Sequence, residues 1–247
     1  MANKLTTIYY HDIVETGKGW SYQKTDISFF EKQMNFLSEN NYHSLLFDDL
    51  SINIPEKAIL ITFDDGFRSI YEMAAPIMNK YKMKGNVFLA TRFVDKDSDF
   101  LTWEMVRELQ ETGMFSFGAH THNHVDIRSL SESDFVIEMN QCDFEIKKRL
   151  NYRPIAFCMP YGKYDSASIR SLLNSRNYLY IFASHYGQAT QPLLQNKLIP
   201  RIGIQNEDTQ DIFKKKIDGR YNWKGYFQRI RLSFENILKK RVTCYQK

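Results

Sequence analysis

The chain alternates between short apolar runs and longer segments whose apolar positions recur at helical spacing. Continuous apolar runs are typical of strands that are buried on both faces. The segments that we predict as strands are 5–10, 58–63, 86–90, 114–120, 155–160, 178–183 and 198–204. The helical periodicity predicts amphipathic helices over 28–39, 67–81, 102–112 and 132–150, of which the last is expected to be the longest.

Residues at the ends of the predicted helices support these boundaries. Asp26 and Thr102 stand where N-caps are expected, and Ser131 with Asp134 has the spacing of a capping box. Pro76 lies inside the second helix and is expected to kink or break it, because proline has no amide N–H to donate. Strands that alternate with helices predict an α/β fold with a mainly parallel sheet, either open or closed into a barrel.

Composition excludes several classes of protein. Of the 247 residues, 43% are hydrophobic and 15% aromatic, which is enough to form a core and excludes a disordered or fibrous chain. Cys142, Cys158 and Cys244 are odd in number and lack CxxC spacing, so neither a disulfide framework nor a cysteine-rich zinc site is expected. The first residues do not have the pattern of a signal peptide, and we therefore expect a protein of the reducing cytoplasm.

Charge is concentrated at the C-terminus. The net charge is +4, but residues 211–247 carry +8 and the rest of the chain carries −4, so no nucleic-acid partner is expected for the main body. Apolar residues of this tail recur on one helical face: Trp223, Tyr226, Phe227, Ile230, Phe234, Ile237 and Leu238. Basic residues are interspersed with them: Lys224, Arg229, Arg231, Lys239, Lys240 and Arg241. The preferred interpretation is a helix packed on the main domain. The alternative is an interfacial helix at the anionic inner membrane leaflet.

Two adjacent carboxylates, Asp64 and Asp65, directly follow the predicted strand 58–63. Neighbouring carboxylates at a strand end repel each other and lose hydration, and a bound cation is one way to compensate them. The alternative is an Asp-Asp-Gly turn with both side chains in water.

Three of the six histidines lie within five positions after the predicted strand 114–120. The spacing of His120 and His124 brings two imidazoles to one ion if the segment turns helically, whereas His122 is then expected to be structural or exposed. Two imidazoles and one carboxylate form a facial metal site with open positions for water and substrate. The alternative is a chance cluster on a solvent loop.

Two weaker motifs complete the candidate chemistry. The turn Pro160-Tyr161-Gly162 ends a predicted strand, and such a turn either aims a backbone N–H into a pocket or is an ordinary connection. Trp103, at the start of a predicted helix, either forms the wall of a sugar-binding groove or belongs to the core.

The motifs TFDDG, H-T-x-x-H and PYG, in this order, resemble those of the polysaccharide deacetylases, the carbohydrate esterase family 4 or NodB homology proteins. The segments YYHDI, LTW and IPRIGI also occur in the family's order, and the resemblance covers roughly residues 5–205. It implies a distorted (β/α)7 barrel, here with a C-terminal helical extension. It also implies hydrolysis of N-acetyl, or occasionally O-acetyl, groups on a polysaccharide or glycan precursor.

The resemblance assigns roles to individual positions. Asp64 is expected to be the general base, and the backbone N–H of Tyr161 to stabilise the oxyanion. The expected ligands of one divalent metal ion are Asp65, His120 and His124. We expect zinc first, with cobalt or nickel as alternatives. The residues expected to contact the acetylated glycan are Trp103, Pro160, Tyr161 and Gly162.

The third motif departs from the family pattern. Many members carry an arginine there that orients the base, but this segment reads FCMPYG, and His185 is the only later histidine that could stand where a general acid is expected. We predict that Arg201, in the last predicted strand, makes a bidentate contact with Asp64 instead, since strand ends of this fold converge on one pocket. The alternative is that Arg201 pairs with another carboxylate at the rim.

We therefore predict a catalytic domain over residues 1–205 and a basic amphipathic helical extension over 206–247. The predicted activity is metal-dependent removal of acetyl groups from a glycan. The alternatives are a related amidohydrolase that acts on a small amide, and a catalytically silent carbohydrate-binding domain. Retention of both carboxylates and both histidines favours an enzyme, because a binding domain needs no base.

Overall fold

The computed structural model describes residues 4–17, 21, 23–51, 53–175, 178–190, 198–206 and 208–245. Its strands are β1 (Lys4–Tyr10), β2 (Asp12–Val14), β3 (Lys24–Asp26), β4 (His43–Ser44), β5 (Ala58–Phe63), β6 (Gly85–Leu89), β7 (Phe115–Ala119), β8 (Ala156–Cys158), β9 (Tyr180–Ala183), β10 (Ala189–Thr190), β11 (Leu198–Pro200) and β12 (Ile202–Gly203). Its helices are α1 (Ile27–Glu39), α2 (Ala75–Lys80), α3 (Trp103–Glu111), α4 (Glu132–Leu150), α5 (Ser166–Ser175), α6 (Gln210–Ile217) and α7 (Asn222–Tyr245).

The main sheet closes into a barrel. Strands β1, β5, β6, β7, β8, β9 and β11 pair in parallel in that order, and β12 returns to pair in parallel with β1. Because β11 and β12 together form the seventh position, the predicted (β/α)7 barrel is confirmed. The predicted strand 198–204 is divided into these two short strands, which pair with different neighbours, and Arg201 is the residue between them.

Aromatic side chains fill the barrel interior. Phe88 of β6 and Phe182 of β9 belong to non-adjacent strands, yet their ring centroids are 5.2 Å apart, because both side chains point to the barrel axis. Phe47, on a 3-10 turn near the amino ends of the strands, packs 5.0 Å from the Phe88 ring. Gly118 of β7 makes room for this cluster, since a Cβ atom there would lie 2.8 Å from the Phe88 ring.

The predicted N-caps are confirmed. Asp26, Thr102 and Ser131 each accept a hydrogen bond from a backbone N–H in the first turn of the helix that follows. The predicted helix 67–81 is continuous but irregular: a π-helical turn over Ile70–Ala74 runs directly into α2, in which Pro76 occupies the first turn. The prediction that 132–150 is the longest helix is wrong, because α7 has 24 residues and α4 has 19.

The C-terminal helix α7 contacts the barrel through small and polar positions. Asn236 donates a 3.0 Å hydrogen bond to the carbonyl oxygen of Tyr164, and Gln228 accepts one of 2.7 Å from the backbone N–H of Tyr186. At Gly225 an added Cβ atom would lie 1.9 Å from the Tyr186 carbonyl oxygen, so only glycine permits this approach.

The predicted apolar face of α7 does not pack on the barrel. Its seven large apolar side chains are exposed, so α7 packs on the barrel, as the preferred interpretation has it, but through the opposite face. The side chains of Lys239, Lys240 and Arg241 lie outside the described part of the molecule. Within the described residues, every helix is too short or too polar to span a bilayer.

Candidate active site

A cavity of about 220 Å³ opens at the carboxyl ends of the barrel strands. The strands contribute to it through residues at or just beyond their carboxyl ends, which in a barrel of parallel strands meet at one face. Six of its lining residues are His11, Asp64, His120, Tyr161, Ser184 and Gly203. The cavity therefore brings together segments that are up to almost two hundred positions apart in the sequence.

The two predicted carboxylates are buried beside this cavity. Asp64 is 3% and Asp65 is 4% exposed, which excludes a turn with both side chains in water. The backbone of Asp65 has φ = +70° and that of Gly66 has φ = +87°, in the left-handed region that costs energy for a residue with a Cβ atom. This turn directs the two neighbouring carboxylates to different partners.

Asp64 is held by Arg201. The Nη1 and Nη2 atoms of Arg201 donate hydrogen bonds of 2.7 and 2.8 Å to the two carboxylate oxygens of Asp64. The structure thus places Arg201 in the bidentate contact that the sequence predicts, and not at another carboxylate. Burial raises the pKa of Asp64, but the charge and hydrogen bonds of Arg201 outweigh it and hold that pKa well below its usual range.

The Arg201 guanidinium is fixed on several sides. It is 1% exposed and lies 4.6 Å from the centroid of the Tyr9 ring. Its Nη1 and Nη2 atoms also donate 3.2 Å hydrogen bonds to the hydroxyl oxygens of Thr62 and Ser184. Because these three contacts set the plane of the guanidinium, they also set the plane of the Asp64 carboxylate.

The three predicted metal ligands converge. The Nε2 atoms of His120 and His124 lie 3.5 and 3.2 Å from Oδ1 of Asp65. His120 donates a 2.9 Å hydrogen bond from Nδ1 to the carbonyl oxygen of Cys158, which leaves the lone pair of its Nε2 towards Asp65. Oδ1 of Asp65 is buried and has no hydrogen-bond partner among the described residues.

The two imidazole nitrogens and the Asp65 oxygen all carry lone pairs that repel one another, and protonation does not remove this repulsion. Burial lowers the pKa of His120 to about 3 and also lowers that of His124, so both rings are neutral at pH 7. Burial raises the pKa of Asp65 to about 6, with a smaller contribution from the charge of Asp64, against the opposite effects of His11 and Arg201. Two unprotonated imidazole nitrogens beside a buried carboxylate oxygen that lacks a hydrogen-bond partner among the described residues suit a divalent cation.

A second group of possible ligands fits a metal less well. Asp64, His120 and Cys158 also bring one ligand atom each within 4.8 Å of the others. However, both oxygens of Asp64 accept hydrogen bonds from Arg201, and burial raises the pKa of the Cys158 thiol well above its usual range. A thiol that keeps its proton is a poor ligand, so the Asp65 group is the better candidate for a metal site.

His122 points away from these ligands, as expected. Its Nδ1 is 2.8 Å from the hydroxyl of Thr91, and it does not belong to either group of possible ligands. The histidine cluster is therefore neither a chance arrangement in solvent nor a set of three ligands.

Of the four residues predicted to contact the glycan, two line the cavity and two do not. The prediction for Trp103 is wrong: it is 5% exposed, packs in the core, and has the Arg149 guanidinium 5.8 Å from its ring. Pro160 is buried and starts the 3-10 turn Pro160–Gly162, but it is not among the residues that line the cavity. Tyr161 and Gly162 do line the cavity, with positive φ values of 60° and 64°.

Tyr161 also contacts one of the three candidate metal ligands. Its ring packs edge-on against His124 with centroids 4.7 Å apart, and its hydroxyl donates a 3.2 Å hydrogen bond to the carbonyl oxygen of His124. The turn after β8 thus orients the loop after β7. The backbone of His124 has a positive φ of 55°, and the contact with Tyr161 helps to keep it in that conformation.

His11 is a cavity residue to which the sequence analysis assigned no role. It follows β1, is partly exposed, and has its Nε2 atom 4.0 Å from Oδ2 of Asp64. Its position directly after the first buried strand is the signal that could have identified it. His185, the other candidate for an acid, lines a neighbouring cavity instead, and burial and the nearby Arg229 lower its pKa to about 4.

Residues 51–181 match the sequence model of the polysaccharide deacetylase family, and this range is more than half of the 247-residue chain. The protein therefore belongs to the polysaccharide deacetylase family.

Relatives and solved structures agree with this assignment. The poly-beta-1,6-N-acetyl-D-glucosamine N-deacetylase of Staphylococcus aureus (strain MSSA476) is 23% identical over 239 residues, which cover 90% of this chain and 78% of that protein. YxkH of Bacillus subtilis (strain 168) is 27% identical over 174 residues, which cover 68% of this chain and only 60% of YxkH. The Streptococcus pyogenes deacetylase PplD has the same fold, with a TM-score of 0.79, 23% identity, and coverage of 88% of this chain and 99% of PplD.

We predict that His120→Ala and His124→Ala each abolish binding of a divalent metal, because each removes one of three ligands. His122→Ala is the matched control and keeps the metal, since His122 faces Thr91. Metal content per purified chain, measured by inductively coupled plasma mass spectrometry, checks this. An equal loss of metal in all three variants would contradict the assignment.

Proposed function

We propose that the protein is a metal-dependent hydrolase that removes N-acetyl groups from a polysaccharide or glycan precursor. The observation that carries the proposal is the pairing, beside one cavity, of the Asp65-His120-His124 group with an arginine-held Asp64. Membership of the polysaccharide deacetylase family and the activity named for the S. aureus relative support the same reaction. We also propose a cytoplasmic location, with which the free buried thiols of Cys142 and Cys158 agree.

Asp65, His120 and His124 would hold the metal ion. When bound, a divalent ion at this site polarises a carbonyl group and acidifies a water molecule. Zinc suits two imidazoles and one carboxylate, as do cobalt and nickel. Since Asp65 is a ligand, it does not serve as the base, and this explains why the site holds two adjacent carboxylates.

Asp64 is assigned as the general base. Arg201 keeps it ionised and fixes its plane, so it is ready to accept a proton as water attacks the acetyl carbonyl carbon. The backbone N–H of Tyr161 stabilises the oxyanion of the tetrahedral intermediate, because Tyr161 lines the same cavity.

We assign His11 as the general acid. Breaking the carbon–nitrogen bond leaves an amine that needs a proton, and His11 lies on the cavity wall on the same side as Asp64. The proton goes from His11 to the amine nitrogen, and the acetyl group leaves as acetate. His11 thus takes the role of the general-acid histidine that was expected later in the sequence.

The cavity suits a chain of sugars better than a small amide. A second cavity of about 230 Å³ adjoins it and shares Tyr161, Gly162 and Ser184 as lining residues. Neighbouring sugar units have room there while one acetyl group lies at the catalytic cavity. A silent carbohydrate-binding domain is disfavoured, because it needs neither an arginine-held base nor three converging ligands.

We predict that Asp64→Asn keeps the metal but lowers kcat by at least about 10²-fold, because an amide accepts no proton. The assay is release of acetate from N-acetylglucosamine oligosaccharides of β-1,4 and β-1,6 linkage, with metal content measured in parallel. If the metal-loaded native protein releases no acetate from any acetylated glycan, the proposed function is wrong. If Asp64→Asn loses the metal and Asp65→Asn keeps it, the two roles are reversed.

We predict that His11→Gln lowers kcat on the amide substrates by about 10²-fold and leaves hydrolysis of 4-nitrophenyl acetate within about threefold of native. The reason is that nitrophenolate leaves without a proton, whereas an amine does not. Asp64→Asn is the comparison, since loss of the base impairs both substrates. Equal losses on the two substrates in His11→Gln would exclude a role as acid.

We predict that Arg201→Lys lowers kcat about 10-fold or more with unchanged metal content, because lysine keeps the charge but loses the planar fork that fixes Asp64. Arg149→Lys is the matched control: Arg149 also lies over an aromatic ring, but it is remote from the cavity. Native kcat in Arg201→Lys would show that the orientation of Asp64 does not depend on the bidentate contact.

A further inference from the structure

The outward face of α7 concentrates apolar surface. Of the thirteen large hydrophobic side chains that are exposed in the described part of the chain, seven lie on this helix. They are Trp223, Tyr226, Phe227, Ile230, Phe234, Ile237 and Leu238, with exposed fractions from 36% to 63%. At 100° per residue they occupy a continuous arc of roughly 120°, opposite Gly225 and Asn236, which face the barrel. We call this arc the outer face.

The outer face is not a by-product of poor packing. Gly225 is buried against Tyr186, and Asn236 bonds both to Tyr164 and, at 2.6 Å, to Arg128, so the orientation of the helix is fixed by specific contacts. A rotation that buried the outer face would break all of these contacts. Contiguous apolar surface that is held outwards in this way marks a site of interaction.

Cationic side chains border the outer face. Lys224 and Arg231 lie along one edge of it, as their positions on the helix require, whereas Arg229 faces the second cavity. The Arg231 side chain is 84% exposed and forms an ion pair with Glu235 on the same helix. Glu235 is the one carboxylate of α7, so the surface around the outer face is positive.

This charge pattern disfavours a second copy of the chain as the partner. Paired helices bury a narrow seam and place the flanking residues opposite each other, so Lys224 and Arg231 of two copies would meet like charges. The seam would also consist of Trp223, Phe227 and Phe234, which are bulkier than the leucine and isoleucine that pack well between two helices. An anionic surface complements the same residues.

We propose that α7 is an interfacial helix that binds the protein to the surface of an anionic lipid bilayer. The outer face enters the boundary between headgroups and acyl chains, and the flanking cations contact the headgroups. Trp223 and Tyr226 are side-chain types that favour this boundary. The helix lies on the membrane, in agreement with its being too polar to span one.

The position of α7 connects this surface to the catalytic cavity. Gln228 and Leu232 of α7 line the second cavity, which shares Tyr161 and Gly162 with the catalytic one. A protein that lies on the bilayer by α7 therefore has its substrate groove close to the lipid surface. If the proposed function holds, the substrate is a glycan that is anchored to the membrane, while the docking itself does not depend on that function.

Vesicle flotation of the full chain tests the proposal. We expect the protein to float with equimolar phosphatidylcholine–phosphatidylglycerol vesicles at low salt, and to bind more weakly to pure phosphatidylcholine or at high salt. The double variant Phe227→Ser with Phe234→Ser should lower the partition coefficient at least about 10-fold. Ile137→Ser with Phe144→Ser is the matched control, because these residues are 66% and 56% exposed on α4, and it should bind as the native chain does.

Three outcomes would overturn the proposal: no flotation with anionic vesicles at low salt, an equal loss in the α4 control, or a native dimer that the α7 double variant converts to a monomer. Circular dichroism and thermal unfolding establish that both variants fold. Release of acetate from a soluble acetylated oligosaccharide is measured on the same samples. Since neither pair lies at the catalytic cavity, this readout separates a failure of docking from a failure of the proposed function.

Discussion

The buried pair of Asp64 and Arg201 is the interaction on which the rest of this site depends. Arg201 lies where the last strand leaves β9 and joins β1, so the residue that completes the barrel also holds the carboxylate after β5. Each charge needs the other, because an unpaired ion in this interior is strongly unfavourable. The Tyr9 ring of β1, the Thr62 hydroxyl of β5 and the hydroxyl of Ser184, just after β9, add contacts from the same three strands. The segment that closes the barrel therefore also orients the proposed base.

Asp64 and Asp65 are adjacent in sequence, yet their surroundings are opposite. Asp64 faces a fixed cation and stays ionised, whereas Asp65 faces two neutral imidazoles and retains an unpartnered buried oxygen. The left-handed backbone at Asp65 makes this separation possible, because an extended strand would direct the next side chain to the opposite side of the sheet. Two like residues with different electrostatic environments can perform different tasks, one as base and one as ligand.

Local signals explain what the sequence could predict. Buried strands and N-caps depend on neighbouring residues, and each of the motifs TFDDG and H-T-x-x-H is a short run of consecutive residues. Trp103 shows the limit of such patterns, since the start of a helix does not reveal whether the ring faces the core or a groove. His11 carried no local signal beyond its place after a strand. The periodicity of α7 identified its apolar face, but the barrel contacts the opposite side, where Gly225 permits a close approach that no hydrophobic pattern predicts.

The division of the last barrel strand at Arg201 has a consequence for how the protein is made. Ile202 pairs with Ile8, and Arg201 reaches Asp64 across 137 positions of sequence. Contacts of such long range form late, because the chain must first lose the entropy of the intervening loop. During synthesis the barrel remains open until this segment has left the ribosome, and Asp64 has no guanidinium partner until then. The three candidate metal ligands all precede residue 125, and the Cys158 and Tyr161 contacts that orient the two histidines are also translated before Arg201, the partner of the proposed base. The proposed activity therefore requires that translation has passed this last barrel strand.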